Sequence, residues 1–265
     1  MSLGAHRASS TREYQLLHTS TIDSTGTQTY TIPAGILYIE IEMWGAGGGG
    51  GLGKGSAGRG GSSFQEGGGG GGGAYVKHKI WESILREGRK LSFTVGAGGD
   101  GADLAGGDEC KGDAGGNTSF TGILDESGTS MSTFTAIIAN GGCGGDSGNQ
   151  LCIGGGICYS TGGVASGGNI ANKNGVDGTD HGSIITSSVD GQNGGAAGGL
   201  SVGGGAGGAG GTDDGSSSAA GGENGVAPGG GGGGGASSCA ICATLEIGGD
   251  GGIGANGRVI VRSYG

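Results

Sequence analysis

The sequence predicts an all-β protein in which short strands anchor long, ordered glycine tracts. Glycine supplies 78 of the 265 residues and proline only 2, which excludes a collagen triple helix with its strict period and abundant proline. Leu, Ile, Val and Phe make up about a sixth of the chain, below the roughly 20% under which highly charged chains are disordered. Alternating apolar and polar runs nevertheless separate the tracts, and such alternation is typical of β-strands.

The strands can be placed in chain order. Residues 1–27 are polar and rich in Ser and Thr, which predicts a polar arm or short leading strands. The clearest strand spans residues 36–44: Leu37, Ile39, Ile41 and Met43 face one side, and Tyr38, Glu40, Glu42 and Trp44 face the other. The same reasoning predicts a short helix or turn over residues 81–89 and further strands at residues 74–80, 91–95, 134–139 and 258–262.

Three glycine tracts, residues 45–73, 96–116 and 141–257, lie between these strands. A flexible linker is one interpretation, but the third tract is too long for an ordinary loop in a compact domain. The ordered alternative is polyglycine II, an extended left-handed helix like polyproline II with about three residues per turn. Rods without Cβ atoms can pack closely enough for hydrogen bonds between their backbones, so the remaining side chains should recur near every third position on outward faces. Residues 194–211 end in Gly-Gly-Ala steps of this period but are irregular elsewhere.

The charge distribution narrows the function classes. The net charge is −10 and the Lys and Arg residues are scattered, whereas a nucleic-acid-binding protein normally has a basic patch. No apolar run approaches the length of a membrane span, and no secretory signal is visible at the start. We therefore expect no nucleic-acid partner and no membrane insertion.

Six cysteines leave several chemistries open. An even number in a loop-rich chain is compatible with disulfides, but six cysteines allow fifteen pairings. The last two form a C-x-x-C motif, but a zinc site needs a second close pair, and buried or unpaired thiols are the remaining alternative. The disulfide candidates are Cys110, Cys143, Cys152, Cys158, Cys239 and Cys242.

No motif predicts catalysis or a cofactor. Residues 98–103 match one copy of a calcium-binding repeat, although such repeats bind calcium in tandem copies. Asp100, Asp103 and Asp108 are therefore candidate calcium ligands, and the simpler interpretation is an acidic turn after a strand. Lys54 in a Gly-Lys pair is followed by Gly55 rather than Ser or Thr, so the phosphate-binding loop is incomplete. No nucleophile stands in a strand–turn–helix setting, and we expect a protein that is not an enzyme.

The order of elements resembles a known family. The segments TYTIPAGILYIEIEMWGAGGGGG, GGGGGGGAYVKHKI, LSFTVGAGGDG, IIANGG and GRVIVRSYG are similar to the glycine-rich domain of viral tail fibres and adhesins. A similar module occurs in receptor ectodomains of the anaplastic lymphoma kinase type. The resemblance covers residues 28–265 and implies a small, jelly-roll-like β-sandwich whose excursions form a polyglycine II bundle. The six cysteines and residues 143–192 depart from the family pattern.

These observations favour a structural or adhesive protein of a virion or an extracellular appendage. Its expected partners are copies of itself in an oligomer or filament, other virion or appendage proteins, or a glycan or protein receptor on a host surface. Aromatic anchors dominate interfaces, so the candidate binding residues are Phe64, Trp81, Tyr159 and His181. The alternative is an ice-binding protein, which would present a flat face of small side chains from a polyglycine II bundle.

Overall fold

The computed structural model describes residues 14–58, 61–81, 83–103, 111–131, 135–146, 160–179, 190–212, 219–238 and 247–265. The strands are β1 (Leu16–Ile22), β2 (Gly26–Thr31), β3 (Tyr38–Trp44), β4 (Lys54–Gly58), β5 (Gly61–Gln65), β6 (Tyr75–Trp81), β7 (Lys90–Val95), β8 (Thr118–Leu124), β9 (Ile137–Ala139), β10 (Ala165–Ser166), β11 (Ala171–Lys173), β12 (Ser237–Ser238), β13 (Ile247–Gly248) and β14 (Arg258–Tyr264). A short 3-10 helix spans Leu200–Val202.

Two antiparallel sheets of five strands form a β-sandwich, which confirms the predicted all-β class. The first sheet has the order β1-β14-β3-β6-β11, and the second has the order β10-β9-β8-β7-β2. Two-stranded ribbons, β4–β5 and β12–β13, lie outside the sandwich sheets. Because the first and last strands of the chain pair with each other, the long glycine excursions leave the sandwich and return to it.

The sandwich core lies between the two sheets. From β3 it receives Ile39, Ile41 and Met43, all with no exposed surface, as the predicted alternation requires. The second sheet contributes the Phe93 and Phe120 rings, whose centroids are 5.5 Å apart. Burial of these apolar side chains stabilises the sandwich by about 25 cal/mol for each Å² removed from water.

The apolar strands lie close to their predicted positions, whereas the polar strands lack a sequence pattern that would place them. Sheet strands cover 38–44, 75–81, 90–95, 137–139 and 258–264, each overlapping a predicted strand. Trp81 is the last residue of β6, and residues 83–89 form turns, which is one of the two predicted alternatives. Strand β8 was not predicted, whereas the described part of residues 1–27 forms β1 and the start of β2, as the alternative of short leading strands predicts. These strands are rich in Ser, Thr and Gly, so they lack a clear apolar alternation.

The glycine tracts form a packed bundle around three inner rods, residues 45–53, 67–74 and 229–236, in which every residue is buried. In the rod 45–53, the amides of Gly48, Gly49 and Gly50 donate to three different neighbours. Their acceptors are the carbonyls of Gly71, Asp113 and Gly252, at 2.9, 2.9 and 2.8 Å. This three-residue rotation is the polyglycine II period, and it confirms the ordered alternative for the described parts of the tracts.

Each neighbour is met again three residues later. Gly51 donates to Gly68, one period along the rod that accepts from Gly48, and the carbonyls of Gly48 and Gly51 accept from a further rod, 229–236. Among the described residues, the rod 45–53 thus donates to three antiparallel rods and accepts from three parallel ones. Such a backbone needs no apolar side chains for its order, because its N–H and C=O groups are satisfied by other rods.

Close approach of the rods explains why the inner positions are glycine. A Cβ on Gly50 would lie 2.5 Å from the carbonyl carbon of Gly233, far inside the normal separation of about 3.5–4.0 Å between carbon atoms. The rods could not keep their hydrogen-bond distances with any larger residue at this position. Dense hydrogen bonding thereby replaces side-chain packing in this half of the molecule.

Outer rods surround the inner ones, and three of them expose every third residue, as the polyglycine II hypothesis predicts. The exposed residues are Ala97, Asp100 and Asp103 in residues 96–103, Ala206, Ala209 and Thr212 in residues 204–212, and Asp250, Ile253 and Asn256 in residues 249–257. The intervening positions face other rods and are mostly glycine. In these three rods, most non-glycine residues therefore lie on the outward face.

Candidate functional site

An aromatic cluster occupies the outer face of the first sheet. The sheet register aligns Tyr38 of β3 with Tyr264 of β14 and with Trp81 of β6. The Tyr38 and Tyr264 rings stack with centroids 4.4 Å apart, and the centroid of Trp81 lies 5.5 Å from that of Tyr38. Tyr14 meets the edge of Tyr38 at 5.2 Å. We refer to Tyr14, Tyr38, Trp81 and Tyr264 as the aromatic cluster.

A lysine lies directly against this cluster. The Nζ atom of Lys79 is 3.5 Å from the ring centroid of Tyr38 and 3.9 Å from that of Trp81, well within the range of cation–π attraction. Tyr38 is only 7% exposed, whereas Tyr14 is 45% and Trp81 is 54% exposed. Burial raises the pKa of the Tyr38 hydroxyl, with a further increase from the nearby Glu40 carboxylate. The cluster therefore has a fixed centre and two exposed rings.

An ion-pair network lies next to the cluster on the same face. Lys77 Nζ lies 2.9 Å from Glu40 Oε2 and 3.3 Å from Glu42 Oε1, and Arg262 Nη1 lies 2.7 Å from the same Glu42 oxygen. Burial lowers the pKa of Lys77, but its hydrogen bonds to the two carboxylates outweigh that effect and raise it. Because Glu42 has two cationic partners, removal of either Lys77 or Arg262 still leaves its largely buried carboxylate paired. The network holds β3, β6 and β14 in register.

The other end of the same face is closed. Trp44 and Tyr75 pack with ring centroids 5.0 Å apart, and Ala197 contributes to the same buried cluster. Burial raises the pKa of Tyr75 to about 12. Since Trp44 ends β3 and Gly45 begins an inner rod, this closed end adjoins the bundle. The aromatic cluster lies at the opposite end of β3, about 20 Å away for a seven-residue strand.

Side-chain amides satisfy backbone groups on the surface of the bundle. Asn193 Oδ1 accepts from the Gly210 amide at 2.9 Å, and Asn224 Oδ1 accepts from the Ile253 amide at 2.8 Å. Asn117, Asn174, Asp177 and Asn256 accept from other rod or loop amides in the same way, at 2.8–3.1 Å. These contacts give the polar residues of the tracts a structural role that no local sequence pattern indicates.

Of the predicted binding residues, Trp81 lies in the aromatic cluster. Phe64 lies in β5, and its side chain is outside the described part of the structure, as are Tyr159 and His181 altogether. The other cluster members, Tyr14, Tyr38 and Tyr264, were not singled out as binding residues. The alternation places Tyr38 on the face opposite Ile39 and Ile41, but only the strand register shows which rings Tyr38 contacts.

The calcium candidate stays a prediction. Asp100 and Asp103 are exposed on the same face of one outer rod, where one period separates them by about 9 Å at the rise of this helix. Asp108 lies outside the described residues. No group of three or more His, Cys, Asp or Glu side chains is placed to share a metal ion in the described ranges.

The cysteine pairing stays a prediction. Cys143 lies on the outer rod 140–146, and its sulfur accepts a hydrogen bond from the Thr161 hydroxyl at 3.2 Å. The other five candidates, Cys110, Cys152, Cys158, Cys239 and Cys242, are outside the described residues. The described ranges also hold no helix with the length and hydropathy needed to cross a membrane.

Comparison with known protein families assigns the chain to a family. The sequence profile of the glycine-rich domain matches residues 22–264, which is nearly the whole sequence and runs from the end of β1 into β14. This chain belongs to the glycine-rich domain family. The sandwich and the polyglycine II bundle are thus both parts of one glycine-rich domain. No curated protein matches the chain.

Proposed function

We propose that this glycine-rich domain is a non-enzymatic structural or adhesive protein of a virion or an extracellular appendage, acting by assembly and surface binding. The observation that carries the proposal is the exposed aromatic cluster at the end of the sandwich remote from the bundle. Aromatic side chains in a fixed setting are the commonest anchors of binding sites. The resemblance of the strand segments to viral tail fibres and adhesins supports the same proposal. The proposed function assigns no catalytic residue and no cofactor to the chain.

The chemistry of the cluster favours a glycan of the host surface as the partner. Trp81 offers an exposed flat ring, and the Glu40 carboxylate and the Lys79 ammonium group lie on the same face. Ligand sites combine apolar and aromatic surface with a few placed polar groups, and a sugar ring presents C–H groups and hydroxyls together. The rigid Tyr38–Tyr264 stack beneath would limit the conformational entropy lost on binding.

The test is binding of the fluorescently labelled full chain to intact bacterial and animal cells and to immobilised host-type glycans. We expect saturable binding that the Trp81→Ala variant weakens at least tenfold, as for an interface anchor. Val226→Ala is the matched control, because Val226 is also 54% exposed but lies on the outer rod 220–226. Equal binding by wild type and Trp81→Ala, or no saturable binding at all, would contradict the proposal. Saturation by cells but by no glycan would identify a protein receptor.

An ice-binding protein is the second candidate. The outer rod 204–212 exposes Ala206, Ala209 and Thr212 in one row, with a spacing of about 9 Å. The neighbouring rod, which bonds to it through the Glu223 amide, also exposes Glu223, and a charged flank is less suited to ice than a uniform row of small groups. Thermal hysteresis of the full chain decides this candidate, since its absence at millimolar concentration would remove it.

A further inference from the structure

One side of the sandwich exposes two long strand edges. In the described structure β1 ends the first sheet and β2 ends the second, and only residues 23–25 separate them, so both edges lie on the same side. The opposite side ends in β10 and β11, of two and three residues. Short edge strands are a common protection against unwanted pairing. The side formed by β1 and β2, which we call the open side, lacks that protection.

The composition of the open side also favours pairing. Strand β1 reads LLHTSTI and β2 reads GTQTYT, with neither Pro nor a Lys, Arg, Asp or Glu, although natural edges are usually blunted by charge or Pro. The one feature of β1 that is typical of protected edges is a bulge between Leu16 and His18. Leu16 and Leu17, 48% and 43% exposed, continue the edge toward the aromatic cluster.

The backbone direction along β1 follows from its pairing. The Leu37 amide donates to the Tyr264 carbonyl at 2.7 Å, so Tyr264 directs its backbone groups toward β3. Residues alternate along a strand, so Arg262 and Ile260 also direct theirs toward β3. Their partners on β1 are Thr19 and Thr21. The N–H and C=O groups of these two threonines therefore point away from β14, to the open side.

We propose that a second copy of this chain pairs antiparallel with β1 on the open side and joins the two first sheets across a two-fold axis. A strand that pairs antiparallel with its own copy is self-complementary, as a two-fold interface requires. Charge supports this choice of partner. Two copies with a net charge of −10 each repel each other, so contact is most favourable on a surface with few acidic residues. Asp23 is the one acidic residue between positions 14 and 31, and its carboxylate pairs with Arg258.

This inference deepens the proposed function, because it names the assembly surface. Strand addition through backbone hydrogen bonds is a general mode of recognition, so the interface needs no unusual side chains. It also leaves Trp81, on β6, outside the interface. Self-association and surface binding are therefore separable in one set of variants.

Light scattering coupled to size-exclusion chromatography, over a concentration series, tests the pairing. We expect the full chain to reach twice its monomer mass of 24.8 kDa and Thr21→Pro to raise the dimer Kd at least tenfold. Pro is tolerated on an edge strand where its nitrogen faces away from the sheet, so the β1–β14 ladder should persist. Ala209→Pro, at an exposed rod position, is the matched control and should dimerise like wild type.

Hydrogen exchange on the wild-type chain is a second measurement that does not depend on the folding of a variant. The amides of Thr19 and Thr21 should exchange more slowly as the protein concentration rises, whereas the amide of Ala209 should not change. A monomer at all concentrations, unchanged exchange at both threonines, or dimerisation of Thr21→Pro with the wild-type Kd would overturn the inference. Trp81→Ala should still dimerise, so a failure of surface binding in that variant leaves the pairing intact.

Discussion

Substitution of one buried glycine in an inner rod should destabilise the whole domain. A Cβ on Gly70 would lie 2.5 Å from the Gly48 carbonyl carbon and 2.6 Å from the Gly49 carbonyl oxygen. Restoring ordinary contacts of about 3.5 Å requires the two rods to separate locally by about 1 Å. The 2.9 Å hydrogen bond from the Gly48 amide to the Gly71 carbonyl crosses this contact, and at such a separation it would exceed normal hydrogen-bond length.

The expected loss of stability follows from the hydrogen bonds between the two rods. The rods 45–53 and 67–74 are joined by three bonds, from Gly45, Gly48 and Gly51, each worth a net 0.5–1.5 kcal/mol by general experience. Weakening all three gives a loss of about 2–4 kcal/mol, similar to the known range of about 1–3 kcal/mol for overpacked cores. In a domain of this size, the loss corresponds to a fall in Tm of roughly 5–15 °C.

The assay is urea denaturation of the Gly70→Ala variant, followed by the fluorescence of the buried Trp44 beside the bundle. Gly221→Ala is the control: Gly221 is exposed on an outer rod, and its added Cβ would lie 3.2 Å from the nearest atom, the Asp250 carbonyl oxygen. We expect this control to remain within about 0.5 kcal/mol of wild type. A Gly70→Ala variant equally close to wild type, with an unchanged circular dichroism spectrum, would refute the close packing of the inner rods.

Three further predictions concern single side chains. Asn193→Ala should lose about 0.5–1.5 kcal/mol of stability in the same assay, because the Gly210 amide loses its acceptor. Asn193→Asp keeps an acceptor oxygen and should lose less. Equal losses in the two variants would contradict the role of Asn193 as a hydrogen-bond acceptor. Ala209→Pro should stabilise the domain by about 0.4–1 kcal/mol, because polyglycine II dihedrals suit Pro and the unfolded chain becomes less flexible; a destabilised variant would contradict that geometry. Burial lowers the pKa of His78, despite a bond to the Gly167 carbonyl, so the unfolded chain binds its proton first and stability should fall as the pH drops below about 6.5. His78→Gln should lack this part of the pH dependence, and denaturation curves at several pH values would show it; an unchanged dependence would exclude His78 as the source.

The sequence predicted the apolar half of the fold well and the polar half poorly. The alternation in residues 36–44 is confirmed by the burial of Ile39, Ile41 and Met43, because a period of two leaves one choice of inward face. Strands β1 and β8 lack such a pattern, since Thr and Ser tolerate both faces of a sheet. Their place depends on pairing with β14 and β7, which are distant in sequence.

The candidate site depended still more on tertiary structure. Trp81 was predicted as a binding residue from its type alone. Tyr38, which contacts Trp81, and Tyr264, which stacks on Tyr38, come from opposite ends of the chain, and no local pattern fixes a register between them. The same is true of Asn193, whose acceptor role requires an adjacent rod.

The sequence by itself determined what kind of backbone each segment forms. Glycine runs can adopt polyglycine II because they lack Cβ atoms, and branched apolar runs form strands because alternate residues share a face. The tertiary structure decided which rods and strands meet, since backbone hydrogen bonds carry no sequence label. It is this pairing that buries the inner rods, gathers four aromatic rings at one end of the first sheet and leaves the backbone of β1 open on one side.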